Sequence, residues 1–302
     1  MRENAPDARE KKTLTKQELR RFLGGAEPNI ILLESIDSTN KEAKRMVAGA
    51  ASGRKDEPSG GAAASGGAGG NIPFGTVIIA DEQTEGHGRK GRPFLSRSLN
   101  SDSLYMSFIL KPSEQILQTQ FVTIMAAVAV CETIEELTGA EESLARDASA
   151  PRIKWVNDIF IGGKKVCGIL TEAVMNTESG GIAGIVLGIG VNINVPQEDF
   201  PDHIRKIAGS VKIDTRKRGE FAATLMRKTL SMYEGLEQGV SPIDAYRARS
   251  LMAGRDITVI GADGSETPAR AESISDDGSL LVRYADGTTE ALRSGEVSLR
   301  LN

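Results

Sequence analysis

The chain has 302 residues, of which 39% are hydrophobic, enough to bury a large core in one or two domains. Its formal net charge of −4 gives no general positive field that would attract nucleic acid. The two cysteines, Cys131 and Cys167, lie in apolar contexts and predict buried thiols in a reducing compartment. His87 and His203 have no companion ligands at usable spacing, and no secretory leader or long apolar run is present. These features predict a cytoplasmic protein without a protein-bound metal ion.

The first informative residues are Ser38, Thr39 and Asn40, three consecutive helix-capping types. They are either ordinary caps or hydrogen-bonding groups that hold a polar ligand at a helix N-terminus. Residues 1–12 are charged and predicted to fray. The elements predicted nearby are, in chain order, a helix at 15–23 capped by Thr15, a strand at 30–33 and a helix at 41–48.

A low-complexity segment rich in glycine and alanine follows at residues 49–71. Such a composition cannot bury enough apolar surface to offset its chain entropy. The segments on either side of it both look like parts of one sheet. We therefore predict a flexible surface insertion within one domain.

The stretch at residues 75–92, GTVIIADEQTEGHGRKGR, places a β-branched run before a loop that alternates glycine with basic side chains. Glycine removes the Cβ atoms that keep a ligand away from the backbone, and exposed N–H groups together with guanidinium groups attract anions. The loop therefore predicts a phosphate or carboxylate site, with a solvated basic turn as the alternative. Its glycines and basic residues are Gly86, Gly88, Gly91, His87, Arg89, Lys90 and Arg92.

Two known phosphate-binding motifs do not account for this loop. The glycine spacing matches a dinucleotide fingerprint, but that motif requires a helix at the third glycine. Here residues 92–96 lead instead to another β-like run, Ser103–Leu110, and the Lys-Ser/Thr pair of a Walker A loop is absent.

Farther along, Thr119–Leu137 predicts an amphipathic helix whose polar side carries Glu132, Glu135 and Glu136.

The second informative stretch is Ile153–Ala173, where two β-like runs flank Gly162-Gly163 and predict a hairpin. Side-chain alternation would then place Lys154, Asp158 and Lys165 on one face. Two lysines on a partly apolar face repel each other unless an anion lies between them, and each lysine–phosphate contact is worth roughly 4 kcal/mol before desolvation. The alternative treats the lysines beside the turn as ordinary surface charges. The predicted pairs are Ile161 with Lys164, Phe160 with Lys165 and Lys154 with Thr171.

A third β-like run at residues 184–195, GIVLGIGVNINV, carries Gly188, Gly190 and Asn192. Glycines inside a strand often mark the close approach of a ligand or another backbone. An asparagine amide can pair with an adenine edge, although asparagine is also a common turn residue.

The C-terminal part changes character. Residues 215–238 and 242–252 predict helices, and from Arg255 onward short strands alternate with Asp-Gly turns. This pattern predicts a small antiparallel barrel. The three turns are Asp263-Gly264, Asp277-Gly278 and Asp286-Gly287.

Together these stretches resemble the biotin protein ligases, which adenylate biotin and attach it to a lysine of a carrier protein. IDSTN resembles the family's biotin-contacting Ser-Thr-Asn, and GHGRKGR resembles its Gly-Arg adenylate loop. KWVND is similar to the family's KWPND, GKKVCGIL contains the following lysine, and GIGVNIN resembles its GxGxN strand. The resemblance runs from about residue 30 to residue 301 outside the insertion, with the motifs in the family's order.

The resemblance implies a role for particular residues, with biotin and ATP as substrates and Mg²⁺ on the phosphates. Biotin would contact Ser38, Thr39, Asn40, Gln83, Gly86, His87, Gly88, Arg89 and Lys165. The nucleotide would contact Arg89, Arg92, Lys154, Asn157 and Asn192. Catalysis would use Arg89, Lys154, Lys165 and Asp158. Asp158 either orients a lysine or takes the proton of the carrier amine.

The fold implied is α+β, a mixed or antiparallel sheet with flanking helices similar to class II synthetases, followed by an SH3-like β-barrel. The corresponding domains are 1–252, catalytic, and 253–302. The expected partner is the biotin carboxyl carrier protein of acetyl-CoA carboxylase or another biotin-dependent carboxylase, and the resemblance allows a homodimer. The residues before the first strand predict one short helix, whereas a helix-turn-helix needs two, so we expect no DNA partner. Because no long apolar run is present, we expect no membrane partner either.

The chain departs from the family pattern at two positions, and two alternative functions remain open. His87 stands where many members have arginine, which makes one cation conditional on pH, and Val156 replaces the usual proline. A lipoate or octanoate protein ligase of the same fold would lack both the glycine-arginine loop and KWxND. A non-catalytic biotin-binding module would have no need for the Lys154 and Lys165 pair.

Overall fold

The computed structural model describes residues 13–25, 27–51, 73–92, 94, 103–113, 119–139, 149–176, 180–261, 263–293 and 298–301. The α-helices are α1 Lys16–Leu23, α2 Thr39–Ala51, α3 Thr119–Thr138, α4 Asp202–Arg205, α5 Arg218–Glu237 and α6 Ile243–Ala248. The first seven strands are β1 Ile30–Ile36, β2 Val77–Gln83, β3 Ser103–Leu110, β4 Arg152–Lys154, β5 Asp158–Ile161, β6 Lys164–Met175 and β7 Ile182–Asn192. Five more follow, β8 Asp256–Ile260, β9 Glu266–Ile274, β10 Leu280–Tyr284, β11 Thr289–Leu292 and β12 Ser298–Leu301.

The first seven strands form one mixed sheet in the order β1-β2-β3-β7-β6-β5-β4. β1 and β2 are parallel, and the other neighbouring pairs are antiparallel. All eight residues of β3 are buried because helices cover both faces of the sheet. The predicted α+β class, a mixed sheet with flanking helices, is confirmed.

The two faces of the sheet carry separate apolar layers. On one face, Ala43 and Val47 of α2 pack against Ile78, Ile109 and Val186. On the other face, α1, α3 and α5 join the larger core. A fully buried valine or isoleucine contributes roughly 1.5–3 kcal/mol relative to an exposed one. The layer that includes α1, α3 and α5 contains many more buried side chains than the α2 layer, so it supplies most of the apolar contribution to stability.

Both N-terminal helices begin near their predicted starts. Thr15 Oγ1 accepts the backbone N–H of Glu18 at 3.1 Å, which confirms the predicted N-cap of α1. α2 begins at Thr39 and continues through Ala51, so the first three residues of the predicted insertion are helical. The remainder of that insertion, and the predicted frayed residues 1–12, lie outside the described residues.

The glycine hairpin is confirmed, but one of its predicted pairs is wrong. Gly162 and Gly163 both have positive φ angles, 57° and 76°, and the pairs nearest the turn match the prediction. Lys154 pairs with Asp158 rather than with Thr171, because a turn at residues 155–157 reverses the chain between β4 and β5. The sequence had suggested one continuous strand across those residues.

The prediction that Glu132, Glu135 and Glu136 all lie on the polar side of α3 is also partly wrong. Glu135 is buried because the segment that follows α6 packs over it, and it forms a bidentate ion pair with Arg249. The two N···O distances are 2.9 and 2.7 Å. Glu132 and Glu136 remain partly exposed and face Lys228 on α5.

The C-terminal strands form a second, antiparallel sheet in the order β11-β10-β9-β8-β12. In each predicted Asp-Gly turn the glycine has a φ near +85° and the aspartate accepts an N–H two residues on. Among the described residues no pairing joins β11 to β12, so closure into a barrel stays a prediction.

Within the same residues, no helix combines the length and apolar character needed to cross a bilayer.

Candidate active site

A cleft of about 1030 Å³, including its solvent-open part, lies where α2, β2, the glycine loop, the β4–β5 turn, β6 and β7 meet. Most of the predicted site residues line it, although they come from segments far apart in the chain. They are Ser38, Thr39, Asn40, Gln83, His87, Gly88, Arg89, Arg92, Lys154, Asn157, Asp158 and Lys165. Gly86 and Asn192 are the two predicted residues that do not line this cleft.

One part of the cleft is a buried polar network around the N-terminus of α2. Gln83 Oε1 at the end of β2 accepts the backbone N–H of Thr39 at 2.8 Å. The Ser107 hydroxyl lies 2.7 Å from the Thr39 hydroxyl and 2.6 Å from Asn40 Oδ1. These bonds fix the donor and acceptor groups that a neutral polar ligand would meet.

A second part of the cleft is cationic. Lys165 Nζ lies 2.7 Å from Asp158 Oδ1, an ion pair without hydrogen-bond geometry. Asp158 is thus an anion beside both lysines, since Lys154 is its partner across β4 and β5. Burial lowers the pKa of Lys154, Asp158 partly offsets this, and Lys165 and Arg92 lower it further. Burial likewise lowers the pKa of Arg89. An incoming phosphate would relieve the mutual repulsion of these cations.

Asn157 connects the glycine loop to the sheet. Its Oδ1 accepts from Arg89 Nη1 at 3.1 Å, and its Nδ2 donates to the carbonyl of Ile169 on β6 at 2.9 Å. The Ile169 N–H returns a bond to the Asn157 carbonyl at 2.9 Å. Through these bonds the orientation of Arg89 depends on the β4–β5 turn.

The β4–β5 turn is held from outside the cleft as well. The indole N–H of Trp155 donates to the carbonyl of Gly278 in the C-terminal sheet at 3.0 Å. The buried Tyr246 hydroxyl of α6 donates to the carbonyl of Val156 at 3.2 Å. Lys154 and Asn157, which flank these two residues, are therefore positioned partly by the C-terminal sheet and by α6.

The glycine loop is compact and does not start a helix. The N–H of Gly88 donates to the Arg92 carbonyl at 2.8 Å, and Phe94 donates to the Gly86 carbonyl at 2.9 Å. Only a short 3-10 turn, Arg89–Gly91, lies inside it. Arg92, directly after the third glycine, is extended, so no helix begins there among the described residues, as expected when the dinucleotide fingerprint was rejected.

The strand glycines accommodate protein side chains. A Cβ atom at Gly188 would lie 2.1 Å from Asn40 Oδ1, and one at Gly190 would lie 2.6 Å from the Phe94 ring. Phe94 also packs edge-on against Tyr105, with ring centroids 6.4 Å apart. Neither aromatic residue was predicted to line the cleft, and these glycines were the signal that could have indicated them.

Asn192 is buried behind the cleft. Its Nδ2 donates to the carbonyl of Gly209 at 2.9 Å, so the amide fixes the segment after α4. This bond uses one of the two N–H donors of the amide. The role implied for Asn192 stays a prediction that this arrangement does not favour.

Comparisons with known proteins agree with this geometry. Residues 70–192 match the model of the biotin/lipoate A/B protein ligase family, and residues 253–300 match the biotin protein ligase C terminal domain. The bifunctional ligase/repressor BirA of Bacillus subtilis is 33% identical over 225 residues, which are 73% of this chain and 65% of that relative. The chain belongs to the biotin protein ligase family.

Other relatives extend the match over nearly the whole chain. The biotin--[acetyl-CoA-carboxylase] ligase of Mycobacterium tuberculosis is 26% identical over 94% of this chain and 95% of its own length. The biotin protein ligase of Aquifex aeolicus, solved with biotin and ATP, superposes with a TM-score of 0.68. That pair is 24% identical and covers 91% of this chain and 99% of the solved one, which establishes a shared fold.

Proposed function

We propose that this protein adenylates biotin with ATP and transfers the biotinyl group to a lysine of a biotin carboxyl carrier protein. The observation that carries the proposal is one cleft that combines a hydrogen-bonding wall with a cluster of cations. The wall suits the neutral polar ring system of biotin, and the cations suit a carboxylate and a triphosphate. The wall contains Ser38, Thr39, Asn40 and Gln83, and the cations are Arg89, Arg92, Lys154 and Lys165.

In the first step a carboxylate oxygen of biotin attacks the α-phosphorus of ATP. A bond forms between that oxygen and phosphorus, the bond to the bridging oxygen breaks, and pyrophosphate leaves with the electron pair. Both reactants are anions, so the barrier falls when fixed positive charges surround the α-phosphate. Lys154, Lys165 and Arg89 supply those charges, and biotinyl-5′-AMP is the product.

We propose that Mg²⁺ enters with the ATP phosphates. Within the described residues, no group of three or more His, Cys, Asp or Glu could hold a metal ion, and Asp158 is the one carboxylate lining the cleft. These residues fit Mg²⁺, which is usually held by substrate phosphates, waters and one or two carboxylates. When bound, the ion would neutralise phosphate charge and stabilise the departing pyrophosphate.

In the second step the carrier lysine amine attacks the acyl carbon of biotinyl-5′-AMP. The carbon–nitrogen bond forms, the carbon–oxygen bond breaks, and AMP leaves. The ion pair with Lys165 favours an orienting role for Asp158 over that of a proton acceptor. The mixed anhydride hydrolyses when wet, and the glycine loop is well placed to exclude water from it.

Four further statements belong to the same proposal. Residues 1–252 form the catalytic domain and residues 253–302 an SH3-like domain that supports the β4–β5 turn. The protein acts in the cytoplasm, and its partner is a carboxylase carrier domain. It can form a homodimer.

The test is pyrophosphate–ATP exchange with biotin and lipoate in parallel. We expect ATP labelling with biotin only, because GHGRKGR and KWVND are both present and the named relatives are biotin ligases. Exchange with lipoate alone would transfer the proposal to the lipoate ligases of the same fold. Absence of exchange with either acid would leave a binding protein.

Gly188→Ala tests whether biotin binding requires the observed position of Asn40 in the polar wall. We expect biotin affinity, measured by calorimetry, to fall about 10- to 100-fold, because the new Cβ displaces Asn40. Gly184→Ala is the matched control on the same strand, where a Cβ would lie 2.9 Å from a methyl group of Val47 outside the cleft. It should cost about 1–3 kcal/mol of stability through overpacking and leave affinity unchanged. Equal affinity losses in both variants would contradict the assignment.

A further inference from the structure

Glu172 connects β6 to two side chains of α2. Its Oε2 accepts from Asn40 Nδ2 at 3.0 Å, and its Oε1 pairs with Lys44 Nζ at 2.8 Å. The carboxylate is half-buried, with 26% of the side chain exposed. Glu172 is neither a cleft-lining residue nor part of the motifs that carry the resemblance.

The carboxylate accepts the shorter of two hydrogen bonds that set which way the Asn40 amide points, since Asn40 Nδ2 also donates to the carbonyl of Leu170 at 3.4 Å. An ionised carboxylate can only accept hydrogen bonds, so the NH₂ group of Asn40 must face Glu172. The amide oxygen is then directed to Ser107, whose hydroxyl donates to it at 2.6 Å. Without Glu172 the longer bond to the Leu170 carbonyl would have to hold this orientation against rotation of the amide by half a turn, which would present a donor to the Ser107 hydroxyl.

The charge state of Glu172 supports this role. Burial would raise its pKa, but the hydrogen bonds from Lys44 and Asn40 outweigh burial, and the pKa lies below its ordinary value. The side chain is therefore ionised throughout the neutral range. Lys44 supplies the positive charge that makes a half-buried carboxylate tolerable at this position.

We propose that Glu172 is a positioning residue for the biotin end of the cleft, acting through Asn40 and Lys44. This inference rests on the proposed function, since it assigns biotin to the wall at the N-terminus of α2. Glu172 holds that N-terminus against β6 and β7 and fixes the donor and acceptor pattern of the wall. It has no contact with the ATP-facing cations.

The first variant is Glu172→Gln, assayed by pyrophosphate exchange. Glutamine replaces one of the two carboxylate oxygens by an NH₂ donor, so either Asn40 Nδ2 or Lys44 Nζ then faces a donor instead of an acceptor. We expect the KM for biotin to rise about tenfold, as for loss of a hydrogen bond to a charged group. The KM for ATP and kcat at saturating biotin should stay within about twofold of wild type, since the cations are untouched.

Exchanging the donor and the acceptor between positions 40 and 172 distinguishes a positioning role of Glu172 from a general structural role. Asn40→Asp alone places two carboxylates in contact and should raise the KM for biotin further than Glu172→Gln does. The double variant Asn40→Asp/Glu172→Gln restores one donor facing one acceptor with the same total charge, and its KM for biotin should recover to well below that of Asn40→Asp alone. Glu272→Gln is the control, because it removes the same group from an exposed ion pair with Arg283 in the C-terminal sheet.

Wild-type exchange with biotin together with recovery in the double variant supports the inference. Wild-type exchange with an unchanged KM for biotin in Glu172→Gln overturns it and leaves the proposed function intact. Equal changes in both KM values, or no recovery in the double variant, would make Glu172 a general structural residue and also overturn it. If the wild-type protein shows no exchange with biotin, the proposed function itself fails.

Discussion

Replacing Lys154 with alanine is expected to lower the kcat of biotin-dependent pyrophosphate exchange by about 100- to 1000-fold, comparable to the loss of one preorganised transition-state donor. The reason is that Lys154 carries one of the few charges fixed beside the position proposed for the α-phosphate. Its ammonium group lies 5.9 Å from the centroid of the Phe160 ring, and its backbone pairs with that of Asp158 across β4 and β5, so its position is defined before substrate binds. Initial rates at saturating biotin and ATP give the measurement.

Lys164→Ala is the matched control for this loss. Lys164 is adjacent to Lys165, but its Nζ donates to Gln197 Oε1 at 2.7 Å and it does not line the cleft. Exchange by this variant should stay within about twofold of wild type, the small effect expected of a surface substitution. Comparable losses in Lys154→Ala and Lys164→Ala would mean that net charge, rather than a fixed cation, supports the reaction.

The same lysine gives the reaction a predicted pH dependence. Burial, followed by the repulsion of Lys165 and Arg92, sets the pKa of Lys154 below its ordinary value of 10.5, although Asp158 offsets part of this shift. The cation is fully present below that lowered pKa and is lost as the pH rises through it. Exchange should therefore decline on the alkaline side at a lower pH than for an ordinary lysine. In Lys154→Arg the decline should move upward, because arginine keeps its proton.

Glu135→Ala is expected to lower the free energy of unfolding by about 3–5 kcal/mol, because it leaves the Arg249 guanidinium buried without its counter-ion. The two side chains are 3% and 10% exposed, and they join α3 to the segment after α6. That segment also supports the site, since the carbonyl of Arg249 accepts the N–H of Ile153 on β4 at 2.8 Å. Urea unfolding gives the measurement through the midpoint and slope.

Glu136→Ala controls for the loss of a charge on the same helix. Glu136 is 39% exposed and lies 3.0 Å from Lys228 Nζ, so its removal should cost less than about 1 kcal/mol. Glu135→Leu/Arg249→Met, which removes both buried charges, should regain most of the stability lost by Glu135→Ala. Equal costs for Glu135→Ala and Glu136→Ala would show that the buried pair has no special role.

The sequence by itself determined the features that depend on neighbours in the chain. Gly162-Gly163 and the three Asp-Gly turns were predicted because their conformations need positive φ or a local aspartate acceptor, both of which are chemical properties of adjacent residues. For the glycine loop and the capping residues of α2, local chemistry left a ligand site and an ordinary turn or cap as alternatives, and the family resemblance favoured the site. The structure brings both segments to one cleft.

Only the tertiary structure decided which distant groups meet. Asn40 bonds Glu172 across 132 residues, Trp155 bonds Gly278 across 123, and Arg249 bonds Glu135 across 114. The turn at residues 155–157 likewise makes Asp158, rather than the predicted Thr171, the strand partner of Lys154. Periodicity assigns a residue to a face, but the partner on that face follows from strand order, bulges and helix packing. These are set by the burial of the whole core, which no short stretch of the chain encodes.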